Sequence, residues 1–134
     1  MKKGTVINSH LSDLIANLGH TDEFTIGDAG LPIPDDVWRI DLALAKGIPT
    51  FMDTLTTVLS ECHIEKAIIT EEMLAYSPHI RDAIKEAIGE TPIEVISHLA
   101  FKERTQSSKA VIRTGEFTPY ANVILVSGPW GFDL

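Results

Sequence analysis

Short strand-like runs alternate with amphipathic helical segments along the 134 residues of this chain, and this alternation restricts the possible folds more than any other feature. Apolar residues spaced three and four apart mark a first helix over residues 9–18, at Leu11, Leu14, Ile15 and Leu18. Buried-strand patterns occur between such helices, for example over 65–70. Helices and strands that alternate in this way favour a layered α/β domain.

The remaining elements follow from the same patterns and from helix-ending residues. Asn8 or Ser9 can cap the first helix, and Gly19 suits the left-handed residue after its end. A second helix follows Pro49 and places Cys62 on its apolar face. Further helices are predicted over 77–88 and 99–105, and strands over 24–29, 38–44, 65–70, 92–97, 110–113 and 122–127.

Charge and composition narrow the classes of function. Nineteen acidic residues against eleven basic ones give a net charge of −8, which disfavours binding to nucleic acid or to an anionic membrane. The single cysteine permits no intrachain disulfide bond, and no apolar run approaches the ~18 residues of a membrane span. We therefore expect one domain over residues 1–134, located in the cytoplasm.

Two polar residues stand where loops leave regular structure. His20 directly follows the first helix, and its imidazole can exchange protons near neutral pH, although its position alone is more typical of a loop histidine that only binds a carbonyl. Asp28 follows an apolar strand, where ligands of α/β sheets bind. Its carboxylate could accept hydrogen bonds from sugar hydroxyls, or it could stabilise the turn that follows.

A second group of polar residues lies in the C-terminal half. The run Thr118-Pro119-Tyr120-Ala121-Asn122 presents a phenol and a carboxamide just before an apolar strand, which suits a polyhydroxylated ligand. His98 stands at the entry of a short helix and could have only a local role. A metal site at His20 and Asp22 lacks a further pair of histidines or cysteines at ligand spacing.

Several of these segments, taken in order, resemble the family of ribose pyranases and fucose mutarotases. The likeness runs from residue 1 to about residue 128 and rests on these segments: Met1-Lys2-Lys3-Gly4 with Asn8-Ser9, Leu18-Gly19-His20-Thr21-Asp22, Asp28-Ala29-Gly30-Leu31-Pro32, Arg39-Ile40-Asp41, Ala110-Val111-Ile112-Arg113-Thr114-Gly115-Glu116 and Thr118-Pro119-Tyr120-Ala121-Asn122.

The resemblance implies a three-layer α/β/α fold with a mixed, largely parallel central sheet. It also implies a cofactor-free, metal-free isomerase that interconverts the β-pyranose and β-furanose forms of D-ribose. In this family pentamer rings stack into decamers, so a homo-oligomer is expected. His20 matches the family's proton donor, and the substrate contacts match these residues: Asp28, His98, Tyr120, Ala121 and Asn122, with Ala121 contributing only its backbone.

Two other functions remain open at this point. The chain could be a non-catalytic sugar-binding subunit that assists ribose uptake or phosphorylation, with the same site and no need for a titrating histidine. It could also be a metal-dependent hydrolase built on His20, Asp22 and His98. The pocket of the isomerase could include parts of a neighbouring subunit, because its predicted residues are dispersed along the chain.

Overall fold

Helices and strands alternate along the chain as the sequence patterns predict. The structure, a computed structural model, describes residues 1–132. The prediction of one domain over 1–134 includes Asp133 and Leu134, which lie outside the described residues, and it stays a prediction. The elements are α1 (Ser9–Asn17), β1 (Glu23–Gly27), β2 (Trp38–Asp41), α2 (Phe51–Leu59), β3 (Ile64–Thr70), α3 (Glu71–Tyr76), α4 (Pro78–Ile88), β4 (Ile93–Ile96), α5 (His98–Arg104), β5 (Ala110–Arg113) and β6 (Val123–Ser127).

The strands form one sheet in the order β2-β5-β1-β6-β3-β4. The pairs β2–β5, β5–β1 and β3–β4 are parallel, whereas β6 runs antiparallel to both of its neighbours. Five strands therefore point one way and β6 points the other way. As a result, the amino end of β6 lies at the same sheet edge as the carboxyl ends of β1, β3 and β4, and we call this the carboxyl edge.

Helices cover both faces of the sheet. Side chains alternate between faces along a strand, and in β6 Val123 and Leu125 pack into one core while Ile124 and Val126 pack into another. The first core also contains apolar residues of the helices α1, α2, α3 and α4, and the second contains Phe101 of α5. This arrangement has three layers, and it agrees with the predicted three-layer fold with a mixed, largely parallel sheet.

The ends of two helices differ from the sequence expectations. Asn8 caps α1 through its side chain, which accepts a hydrogen bond from the N–H of Leu11 at 3.0 Å. The left-handed residue after α1 is Thr21, with φ of 72°, and not Gly19. Helix α2 ends at Leu59, so Cys62 lies beyond the helix rather than on its apolar face. After α1 the N–H of Thr21 donates to the carbonyl of Ser127, a tertiary contact, and after α2 the N–H of Glu61 donates to the carbonyl of Val58 and closes a local turn.

Helix α3 is absent from the sequence predictions. It has six residues and buries only Met73, so it lacks the apolar stripe by which longer helices are detected. The Thr70 hydroxyl at the end of β3 accepts a hydrogen bond from the N–H of Met73 at 3.1 Å, so the strand passes directly into the helix. None of the helices in residues 1–132 is long and apolar enough to cross a membrane.

Candidate active site

Four of the predicted site residues come together at the carboxyl edge. Asp28 directly follows β1, and His98 is the first residue of α5, just after β4. Because β6 is antiparallel, Tyr120 and Asn122 precede it at the same edge. Contacts join them in the order Asp28, Asn122, Tyr120 and His98. We call these four residues the carboxyl-edge cluster.

Asp28 and Asn122 bind each other through both backbone and side chain. The backbone N–H of Asp28 donates to Asn122 Oδ1 at 2.8 Å, and Asn122 Nδ2 donates to Asp28 Oδ2 at 3.2 Å. The N–H of Gly30 donates to Asp28 Oδ1 at 2.9 Å, so the turn-stabilising role considered for Asp28 is present as well. A Cβ on Gly27 would lie 3.1 Å from Asn122 Oδ1, and glycine therefore allows this close approach.

Burial sets the acidity of Asp28. Burial raises the pKa of its carboxyl, and hydrogen bonds from Gly30, Asn122 and Leu31 together with the charge of His98 oppose that rise without cancelling it. The carboxyl is therefore less well solvated than an ordinary surface aspartate. It has lone pairs available for donors such as sugar hydroxyls, which would improve its solvation.

We expect this raised pKa to appear in the pH dependence of stability. A carboxyl with a higher pKa in the folded chain than in the unfolded chain binds its proton more tightly when folded. Its contribution to the free energy of unfolding is greatest below the unfolded pKa and decreases as the pH rises through the folded pKa. The unfolding free energy of the wild type minus that of Asp28→Asn, each measured with urea, should therefore decrease as the pH rises from about 3 to about 6. A difference that stays constant or increases would contradict this.

Tyr120 and His98 form the aromatic half of the cluster. The His98 ring meets the Tyr120 ring edge-on with centroids 5.0 Å apart, and Tyr76 packs on the Tyr120 ring at 5.6 Å. Nδ1 of His98 is buried and has no hydrogen-bond partner among the described residues. The backbone N–H of His98 donates to both carboxylate oxygens of Glu72, at 3.0 and 3.2 Å. These contacts fix the position of the first turn of α5.

A network of loop contacts supports Asp28 and the segment that carries Tyr120. The N–H of Ala29 donates to the carbonyl of Glu116 at 2.8 Å, and Arg113 Nε donates to the carbonyl of Ala29 at 3.0 Å. Burial alone would raise the pKa of the Glu116 carboxyl, but hydrogen bonds from the N–H of Phe51 and from Thr118 outweigh it and lower that pKa. Glu116 is therefore held as a carboxylate that joins this loop to the start of α2.

A cavity of about 300 Å³ opens beside this loop. Its lining combines carboxylate, guanidinium, hydroxyl and apolar groups, which can bind a small polar molecule. The lining residues are Asp28, Ala29, Gly30, Arg113, Glu116, Phe117, Thr118 and Pro119.

His20 lies at the opposite edge of the sheet. It precedes β1, whereas Asp28 follows β1, and the strand alone spans roughly 13 Å at ~3.3 Å per residue. The turn that carries His20 is fixed to the end of β6, because the N–H of Thr21 donates to the carbonyl of Ser127 at 2.9 Å. The sequence prediction that His20 is a loop residue is confirmed, but within one copy it does not reach the carboxyl-edge cluster.

A carboxylate, a cavity and a pair of stacked aromatic rings surround His20. Its Nε2 lies 2.8 Å from Glu65 Oε2, and a cavity of about 430 Å³ adjoins the ring. Trp130 stacks on His63 in this cavity with ring centroids 5.6 Å apart. Burial raises the pKa of the Cys62 thiol to about 11, so near neutral pH this thiol holds little of the thiolate form that a nucleophile needs.

Backbone strain is concentrated at these two places. Among the described residues, Thr21 and Tyr120 are the two non-glycine residues with positive φ, at 72° and 61°. Such conformations cost L-residues roughly 1–2 kcal/mol and persist where the surrounding structure holds them. One of them adjoins His20 and the other belongs to the carboxyl-edge cluster, so both halves of the candidate site have a constrained backbone.

Two further sequence predictions concern Ala121 and a metal site. Ala121 is fully buried in one copy, backbone included, so its predicted backbone contact with a ligand stays a prediction. Within residues 1–132 of one copy no group of three histidine, cysteine or acidic side chains is placed to hold a metal ion, and His20 and His98, which the hydrolase hypothesis needs together, lie at opposite edges of that copy. Sequence reasoning missed the supporting residues Glu65, Glu72, Tyr76, Arg113 and Glu116. A carboxylate at the start of an apolar strand is the one signal that could have indicated Glu65.

The fold and the cluster define a class: a small α/β protein with a hydrogen-bonding site at the carboxyl edge of its sheet. The chain belongs to the RbsD / FucU transport protein family, whose model matches residues 1–130. This finding confirms the family resemblance that the sequence motifs indicated.

Curated relatives and solved structures agree with that membership. The D-ribose pyranase of Vibrio campbellii (strain ATCC BAA-1116) is 57% identical over 136 residues, which covers 96% of this chain and 98% of that protein. The D-ribose pyranase of Chloroflexus aggregans (strain MD-66 / DSM 9485) is 53% identical over 128 residues, with the same coverage of both chains.

The structure of Bacillus subtilis RbsD complexed with D-ribose is 48% identical and superposes with a TM-score of 0.94, covering 97% of this chain and 99% of that one. This likeness confirms the predicted fold class. The fucose mutarotase of Streptococcus pneumoniae, solved with L-fucose, is 20% identical with a TM-score of 0.66, covers 92% of this chain and 94% of that one, and shares the fold.

Proposed function

We propose that this chain is an isomerase that interconverts the β-pyranose and β-furanose forms of D-ribose without a cofactor. The observation that carries the proposal is the carboxyl-edge cluster, in a chain more than 50% identical to proteins named D-ribose pyranase. The carboxylate, carboxamide, phenol and imidazole of the cluster can donate to and accept from the several hydroxyls of a pentose.

The reaction needs only proton transfers. Opening the pyranose removes the proton of the anomeric hydroxyl, breaks the bond between the anomeric carbon and the ring oxygen, and delivers a proton to that oxygen. The open aldehyde then rotates, its C4 hydroxyl attacks the aldehyde carbon, and the proton of that hydroxyl returns to the carbonyl oxygen. One imidazole that accepts and donates a proton serves every step. We assign that role to His20.

The other predicted residues bind the sugar. Asp28 accepts hydrogen bonds from ribose hydroxyls, and Asn122 and Tyr120 supply further donors and acceptors beside it. His98 closes the site next to Tyr120, with Ala121 contributing its backbone. These roles are supported by the contacts that connect the cluster and by the cavity of about 300 Å³ that Asp28 lines.

We propose further that each site combines two copies of the chain, with His20 from one copy and the carboxyl-edge cluster from the next. Strand β1 is mostly buried between the two places within one copy, so a single pentose cannot contact both. Trp130 and Phe132, each 73% exposed, lie in the cavity beside His20 and would be covered by a second copy. Pentamer rings stacked into a decamer, in the cytoplasm, remain the expected form.

A non-catalytic sugar-binding subunit is the second candidate, because the matching family is described as one of transport proteins. It would use the carboxyl-edge cluster in the same way but would leave the exchange between ring forms at its spontaneous rate. The two candidates therefore differ in rate and not in affinity.

We expect the purified protein to accelerate pyranose–furanose exchange of D-ribose with no added cofactor, and EDTA to leave the rate unchanged. Saturation-difference NMR measures this exchange directly, because saturation of one ring form is transferred to the other. Binding of ribose with no acceleration would favour the transport subunit. Loss of the acceleration on chelation would favour a metal-dependent site.

A further inference from the structure

Glu65 lies at an irregularity of the sheet. In the antiparallel pairing of β3 with β6, Ile64 stands opposite Ser127 and Lys66 stands opposite Val126, so β3 has one extra residue between them. That residue is Glu65. A β-bulge of this kind changes the direction of a side chain, and bulges are frequent beside active sites.

The neighbouring strand end accommodates the bulge. A Cβ on Gly128 would lie 3.0 Å from the backbone nitrogen of Glu65 and 3.1 Å from its Cβ, which is closer than side chains normally pack. A larger residue at this position would push β3 away from the end of β6. Glycine thus permits the close approach that holds Glu65 in place.

The result is a short contact with the proposed catalytic base. Oε2 of Glu65 lies 2.8 Å from Nε2 of His20, and the left-handed Thr21 fixes the turn that carries the imidazole. The side chains of Glu65 and His20 are 38% and 55% exposed in a single copy, so both remain accessible to a ligand or to a second copy.

We infer that Glu65 is a positioning residue for His20. Its carboxylate accepts a hydrogen bond from Nε2–H and so leaves the lone pair of Nδ1 as the base that takes the proton of a ribose hydroxyl. When Nδ1 gains that proton the ring becomes an imidazolium, and the carboxylate stabilises its charge. Both protons remain accounted for, because Nε2 keeps its own and Nδ1 returns the other to the sugar. This inference rests on the proposed function.

The test compares two substitutions at Glu65. Glu65→Gln keeps an oxygen acceptor and removes the charge, whereas Glu65→Ala removes both. We expect the exchange rate at saturating ribose to decrease roughly 10-fold in Glu65→Gln and up to roughly 100-fold in Glu65→Ala, by analogy with the loss of a hydrogen-bonding partner behind a metal-binding histidine. The dissociation constant for ribose should change less than about two-fold, because the carboxyl-edge cluster is untouched.

A spectroscopic measurement tests the contact independently of activity. With isotope-labelled histidine, the proton on His20 Nε2 should give a hydrogen-bonded resonance, assigned by its loss in His20→Asn. We expect the resonance to persist in the wild type and to disappear in Glu65→Ala. Glu86→Gln is the matched control, since it removes one exposed carboxylate from helix α4, and it should change neither the rate nor the resonance.

Each outcome decides the inference. A decrease in rate at constant affinity, with loss of the resonance, supports it. Wild-type exchange rates in both Glu65 variants overturn it, and so does a loss of affinity that matches the loss of rate. If Glu65→Ala does not fold, the rate and affinity of Glu65→Gln distinguish the same outcomes. If the wild type itself does not exchange ribose, the proposed function fails, and a missing resonance would in addition contradict the contact.

Discussion

Replacing His20 by asparagine is expected to slow pyranose–furanose exchange by roughly 10²–10⁴-fold, the usual contribution of a general acid–base group. Asparagine is similar in size and can still form hydrogen bonds, but it cannot exchange a proton near neutral pH. Ribose affinity should change much less, because Asp28, Tyr120 and Asn122 lie at the other edge of the sheet. Saturation-difference NMR gives the rate, and calorimetry gives the dissociation constant.

The matched control for this variant is His10→Asn. His10 is exposed, and its ring contacts Trp38 edge-on with centroids 6.2 Å apart. The control should retain the wild-type exchange rate. Near-normal exchange in His20→Asn would show that another group moves the proton, and His98 would then be the first residue to test.

Mixing two impaired variants is expected to restore activity: His20→Asn lacks the proposed proton carrier, and Asp28→Ala should lose ribose binding and, with it, exchange rate. If each site takes His20 from one copy and Asp28 from the next, oligomers co-expressed from equal amounts of His20→Asn and Asp28→Ala chains contain some intact sites. A given site has an intact His20 with probability one half and an intact Asp28 with probability one half. About a quarter of the sites should therefore be complete, which would raise the rate from a few per cent or less to about a quarter of the wild-type rate.

The control for this experiment uses a chain that carries both substitutions, co-expressed with the wild type. There the quarter of sites built from two wild-type chains remains active, so the two mixtures should give the same rate. A site that lies within one copy predicts a different result. The mixture of single variants would then stay inactive, while the mixture with the double variant would retain half of the wild-type rate.

The fold could be predicted largely from local patterns. The helices α1, α4 and α5 have apolar spacing or end residues that define them. Every strand coincides with a run of apolar residues or with apolar residues at alternate positions. Helix α3 could not be predicted in this way, because its formation depends on the Thr70 cap and on the burial of Met73 rather than on a stripe of its own.

Four of the residues predicted for the candidate site lie together in the structure, but their arrangement could not be predicted from the sequence. The contact between Asp28 and Asn122 depends on β6 lying next to β1 in the sheet, and strand order is not encoded in either segment alone. The separation of His20 from these residues depends on the same strand order. Glu65 could not be assigned to His20, because a single inserted residue in β3 reverses the direction of its side chain and no local pattern marks that insertion.

Strand β6 connects, within one copy, the carboxyl-edge cluster with the turn that carries His20. Its amino end continues from Tyr120 and Asn122, and its carboxyl end holds the turn of His20 through the carbonyl of Ser127. All five of its residues are buried, so the strand cannot slide without moving apolar side chains out of both cores. In an oligomer built from such chains, the length of β6 would set the distance from one reaction centre to the next. Inserting a single residue into β6 would turn every later side chain of the strand to the other face of the sheet. It would also displace the turn that carries His20 from the sugar with which it is proposed to react.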